Sequence, residues 1–110
     1  MKAIRPQKGF HHVSIFALAD HALGCTRSHN TKKLLDWLTN IAEESPHIIS
    51  IETLVGEDSP ESQGCIFMRI IYTNKDGLAR VRSSVEHREM MTWFEQVRIP
   101  QRMNVDSFIA

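Results

Sequence analysis

Cysteine is scarce in this sequence. Cys25 and Cys65 are the only two, far apart and in no CxxC spacing, which argues against a disulfide framework or a thiolate metal motif. Two reduced thiols in a cytoplasmic protein are the expectation. Net charge is also missing: 13 Lys and Arg balance 13 Asp and Glu. The electrostatic signature of a nucleic-acid or anionic-membrane partner is therefore absent. No apolar run approaches the roughly 20 residues that span a bilayer. The N-terminus, MKAIRPQKGFHH, has a charged start but no apolar core, unlike a signal peptide. P-loop, GxGxxG, GxSxG and zinc-ligand spacings do not occur, nor do internal repeats or linkers.

What is present fits one core. The chain has 110 residues, 42% of them hydrophobic, enough for one domain of common size. Residues 1–9 read as a polar lead-in punctuated by Pro6 and Gly9, and residues 10–110 as the domain. Phe10 to Leu18 (FHHVSIFAL) is a strand rich in β-branched and aromatic residues. Alternation puts His12, Ser14, Phe16 and Leu18 on one face, with His11, Val13, Ile15 and Ala17 on the other. Residues 19–30 are a connector around Gly24. Asn30 or Thr31 then caps a helix over Lys32 to Glu44, whose stripe is Leu34, Leu35, Leu38, Ile41 and Ala42. Pro46 stops it.

His47 to Val55 is a second strand. Ile49, Ile51, Thr53 and Val55 share one face; Ile48, Ser50, Glu52 and Leu54 share the other. A polar loop, Gly56 to Gly64, leads to a third strand, Cys65 to Tyr72. Thr73 or Asn74 caps a short helix with Leu78, Ala79 and Val81. Ser83 or Ser84 caps another, roughly Glu86 to Arg98, with the stripe Met90, Met91, Phe94 and Val97; Pro100 ends it. Met103 to Ile109 alternates as a fourth strand. The order β-α-β-β-α-β predicts an α+β, ferredoxin-like fold: a four-stranded antiparallel sheet with its helices on one face. The other face still carries Ile, Val and Phe. Such a patch usually marks an interface, so a homodimer packed sheet to sheet is expected.

The residues alone single out His87, one turn before Met90 and Met91. A neutral imidazole can take a proton α to a carbonyl, and an apolar surround keeps it neutral; otherwise His87 is a structural histidine bonded to backbone at its helix start. His12 can orient a substrate oxygen or can be satisfied by a neighbouring strand. It does not chelate with His11, which points the other way, and no metal site is expected. His21, His29 and His47 read as solvated connector residues. Tyr72, the only tyrosine, has an edge or core role or supplies a hydroxyl. Arg69 pairs with Glu52 or recognises an anion.

Three motifs stand in order along the chain: the strand-one run His12-Val13-Ser14-Ile15-Phe16, the loop with Gly56, Ser59-Pro60-Glu61 and Gly64, and the segment Ser84-Val85-Glu86-His87. Together they resemble the stress-responsive α/β-barrel (Dabb) family, which has H-P-x-H at the last of them. The resemblance spans roughly Phe10 to Phe108 and implies a dimeric α+β barrel without metal or organic cofactor. It implies a pocket between sheet and helices, with His87 as general base of an aldol-type ring closure, as in the family's plant polyketide cyclases, and with His12 in the pocket. Ser14, Phe16 and Tyr72 are then expected in the lining, as are Val81, Met90, Met91 and Phe94. The chain departs from the family at Val81, where a tyrosine stands six residues before the base, and at Ser84, Val85, Cys65 and Phe67. The expected function is cofactor-independent acid/base chemistry on a small carbonyl compound: a cyclase, isomerase or dehydratase. The alternative is a non-catalytic dimeric domain that binds a small apolar ligand.

Overall fold

The computed structural model describes residues 7–57 and 64–109, without the side chains of residues 101–103. Most of the expected lead-in and the Ser59-Pro60-Glu61 motif lie outside the described residues.

Strand β1 (Gly9–Leu18) runs to a two-residue hairpin, β2 (His21–Ala22) and β3 (Cys25–Thr26), and then helix α1 (Arg27–Glu44). Strands β4 (Ile48–Val55) and β5 (Ile66–Tyr72) follow, then helices α2 (Lys75–Arg82) and α3 (Val85–Val97) and strand β6 (Arg98–Ile109). The main sheet has the order β4-β5-β1-β6, with every neighbouring pair antiparallel. This is the α+β, ferredoxin-like architecture that the element order predicts. Among the described residues no helix is long and apolar enough to cross a membrane.

The strand faces follow the alternation of β1 and β5. Phe16, Ile66, Ile70 and Tyr72 point toward the helices and are at most 6% exposed. They meet Leu34, Leu38 and Ile41 from α1 and Met90, Phe94 and Val97 from α3 in one core. Phe16 and Phe94 pack edge to face, centroids 4.9 Å apart, a favoured geometry for aromatic pairs. On the far face no helix covers the sheet, and Ile15, Leu54 and Val105 are 40%, 69% and 54% exposed. There Arg69 pairs with Glu52 across β4–β5 (3.4 Å), which is the structural alternative foreseen for that arginine.

Several local expectations are corrected. Helix α1 begins five residues before Lys32, at Arg27, because Thr26 caps it by accepting the His29 N–H. Asn30 is not a cap: it is 2% exposed and donates to the Ala22 carbonyl, tying the small hairpin to the helix. His29 accordingly lies inside α1, and His21 lies in β2. Asn74 and Ser84 cap α2 and α3. Helix α3 ends at Val97 and β6 starts at Arg98, before Met103. Pro100 sits within β6, an edge strand, where a missing N–H is tolerated. A β-bulge lies between Ile48 and Ser50. The bulged residue, Ile49, is 42% exposed, while Ile48 and Ile51 both reach the helix side. The alternation read from the sequence is therefore out of phase at Ile48 and Ile49.

Gly9 has a sequence-specific task. Its φ is +134°, and a Cβ there would come within 2.6 Å of the Tyr72 carbonyl oxygen. Glycine lets the start of β1 lie against the end of β5.

Candidate active site

A cleft of about 460 Å³ opens between the sheet and the helices. Its size falls within the range of small-molecule pockets. Strand β1 supplies His12, Ser14 and Phe16, and β5 supplies Tyr72. Val81 comes from α2, and His87, Met90, Met91 and Phe94 come from α3. The structure thus brings all nine side chains singled out in the sequence to one cavity, although that placement alone assigns none of them a role. Leu34, Leu38 and Ile51 complete an apolar wall.

Three polar residues that the sequence reading missed also line the cleft: Arg82, Asn104 and Asp106. Asn104 and Asp106 alternate on β6, and the β1–β6 register sets them opposite Ser14 and His12. Each makes a cross-strand bond: Asp106 Oδ1 lies 2.5 Å from His12 Nδ1, and Ser14 Oγ donates to Asn104 Oδ1 at 2.7 Å. The signal was the pair of polar residues at alternate positions, Asn104 and Asp106, in MNVDSFI, but it becomes meaningful only once β6 is paired with β1. Arg82 ends α2, directly after Val81, and is exposed.

The remaining polar side chains of the cleft have no side-chain partner among the described residues. The His87 backbone N–H donates to the Ser84 hydroxyl that caps α3, and among the described residues its imidazole makes no hydrogen bond. The backbone-bonded ring foreseen as the structural alternative does not form among these residues. Tyr72 is 2% exposed, and its hydroxyl likewise has no hydrogen-bond partner among the described residues. Burial lowers the His87 pKa from 6.5, and electrostatic interaction with Arg82 and then with His12 acts in the same direction. The ring is therefore neutral at pH 7. Burial pushes Tyr72 up to about 12, with Arg82 opposing and Asp106 adding to the rise. Its phenol is a proton donor throughout the physiological range. A neutral imidazole that can accept a proton and a phenol that can donate one thus share an apolar cavity.

Among the described residues no group of three or more His, Cys, Asp or Glu could hold a metal ion. His11 points to the opposite sheet face, where its Nε2 lies 2.5 Å from the Gln7 carbonyl oxygen.

Known structures share the fold at low sequence identity. A dimeric ferredoxin-like protein of unknown function from Thermobifida fusca is similar over 99% of both chains, with TM-score 0.73 and 12% identity. SnoaB, a cofactor-independent oxygenase from Streptomyces nogalater, is similar over 91% of both chains, with TM-score 0.71 and 9% identity. A protein from Arabidopsis thaliana is similar over 92% of this chain and 95% of its own, with TM-score 0.69 and 15% identity. No family model and no curated protein sequence matches the chain. The likeness defines a ferredoxin-like α+β fold.

Proposed function

We propose that the chain is a cofactor-independent acid/base enzyme acting on a small carbonyl compound, with His87 as general base. The observation that carries this reading is that the His87 imidazole and the Tyr72 hydroxyl line the same cleft and neither has a hydrogen-bond partner among the described residues. His87 takes a proton from the carbon α to a carbonyl. The C–H electron pair becomes the enolate double bond, and the carbonyl oxygen takes up the charge. Tyr72 donates a hydrogen bond to that oxygen and stands in for the tyrosine that is Val81 here. The enolate carbon then attacks a second carbonyl carbon to close a ring, and the His87 imidazolium gives its proton to the alkoxide that forms; with a conjugated dienolate the imidazolium instead returns the proton to the γ-carbon and completes an isomerisation. His12, held by Asp106, presents Nε2 as a second polar contact for the substrate.

SnoaB supports the reading as a neighbour of the same fold whose oxygenation needs no cofactor. The resemblance to the stress-responsive α/β-barrel family supports it at His87 and His12. We further propose that the chain works as a homodimer through its open sheet face, on which Ile15, Leu54 and Val105 are exposed. The Thermobifida fusca neighbour is described as dimeric.

The test needs no knowledge of the natural substrate. Aryl-alkyl ketones in deuterated buffer exchange their α-protons when a base abstracts them, and proton NMR follows the loss of signal. Wild type should accelerate exchange, and His87→Gln should abolish the acceleration while keeping the fold. Exchange no faster than buffer in wild type, or an unchanged rate in the variant, removes His87 as base. The non-catalytic ligand-binding domain then becomes the reading.

A further inference from the structure

Among the described residues the cleft is lined by one arginine to which the proposed chemistry gives no task. Arg82 lines it, is exposed, and forms no ion pair or hydrogen bond among the described residues. The other arginine of α2, Arg80, is bound to Asp76 at 2.9 Å. Among the described residues, Asp76 and Glu86 do not line Arg82's cleft. Asp76 and Glu86 line a separate surface cleft beside the end of α1. Asp106, the one carboxylate lining the inner cleft among the described residues, is held by His12.

Arg82 is also close to the proposed chemistry. It lines the same cleft as His87 and Tyr72, and its charge acts on both groups. A planar guanidinium with free N–H groups suits a carboxylate, which it can bind in a two-pronged contact. Leu34, Leu38 and Ile51 give the same cleft an aliphatic wall. A cation without a partner among the described residues, in a cavity that also has a wide aliphatic lining, fits a ligand with one anionic group and an apolar body.

We propose that the ligand of this cleft is an amphipathic carboxylate, its carboxylate held by Arg82 and its apolar body lying between α1 and the sheet. The inference rests on the reading of the cleft as a substrate site and names the class: a carbonyl compound that carries a carboxylic acid. Binding the carboxylate at Arg82 brings the rest of the molecule alongside His87 and Tyr72.

The test compares 4-phenylbutanoate with 4-phenylbutan-1-ol, which share an apolar body and differ in the charged end. Dissociation constants are measured by calorimetry at low ionic strength, and two-dimensional NMR places the shifts. Wild type should prefer the acid over the alcohol by about fivefold to twentyfold, the range between an exposed ion pair and a charge-assisted hydrogen bond. Arg82→Gln should erase that preference without changing alcohol binding, and Arg82→Lys should restore part of it. Salt should weaken the acid and leave the alcohol unchanged. Equal affinity of acid and alcohol in wild type overturns the proposal, as does a preference that survives in Arg82→Gln, or the absence of binding by both probes. The ketone exchange experiment is read separately. If exchange fails while the carboxylate preference holds, the site binds anions without the proposed catalysis. If exchange succeeds without the preference, His87 is a base and Arg82 is not the anchor.

Discussion

Across the β1–β6 ladder, His12 and Asp106 face each other directly and their side chains meet, Nδ1 to Oδ1, at 2.5 Å. A carboxylate can only accept here, so the proton of the neutral ring resides on Nδ1, and Nε2 is left as an acceptor. The edge strand thereby sets the chemistry of a histidine on its neighbour. Asp106→Asn should release that constraint. Ring nitrogen shifts by NMR should show one dominant tautomer in wild type and a mixture in the variant. A single unchanged tautomer would mean that Asp106 does not orient the ring.

His87→Gln should lower α-proton exchange by about 100-fold to 10,000-fold, the usual contribution of a positioned general base. Activity in wild type should be flat near neutrality and fall on the acid side, below pH 6.5, since the neutral ring is the active form and its pKa is lowered. The folding linkage has the same direction. Below 6.5 the unfolded chain binds a proton that the folded chain resists, so stability declines as pH falls through that window. His87→Gln should flatten both dependences.

Tyr72→Phe should reduce exchange while leaving ketone binding nearly intact, because it removes a donor to the developing oxyanion and no apolar surface. At high pH the sign is reversed from that of His87. Above pH 10.0 the unfolded phenol ionises while the folded one, at about 12, stays protonated. Stability should therefore fall by up to about 3 kcal/mol between those values. Denaturant titrations at a series of pH values would show it, and Tyr72→Phe should lack that part of the alkaline loss.

Ile15→Glu or Val105→Glu should convert the proposed dimer to monomer without disturbing the core, since both side chains lie on the face that no helix covers. Sedimentation equilibrium at micromolar concentration reads this directly. A monomeric wild type would end the sheet-to-sheet proposal.

Leu18→Ala should cost about 2–5 kcal/mol by leaving a cavity, because Leu18 is 0% exposed. Leu18 does not line the cleft, so exchange activity at a permissive temperature should be retained. Chemical denaturation together with the exchange assay separates the two effects.

Much of the architecture was legible because it rests on local patterns. Alternation in FHHVSIFAL separated His12, Ser14 and Phe16 from His11, and helical spacing put His87 beside Met90 and Met91. What stayed hidden depended on pairing between distant segments. Arg82 reads as an ordinary helix-ending arginine until α2 is packed beside β5. Asp106 and Asn104 read as solvated strand residues until the β1–β6 register sets them opposite His12 and Ser14. Asn30 looked like a cap because caps are local, but its bond to Ala22 requires the small hairpin that precedes the helix. Residue type alone does not report such long-range partners.

The bulge at Ile49 acts on β4 as a frameshift acts on a message. Positions after it count faces in one phase, and Ile48, before it, counts in the other. The two residues at the junction are both isoleucine, so either phase delivers the same side chain to the cleft wall. The shift leaves no trace in composition. Removing Ile49 would restore an unbroken count, shorten the strand by one residue, and still leave an isoleucine opposite Tyr72.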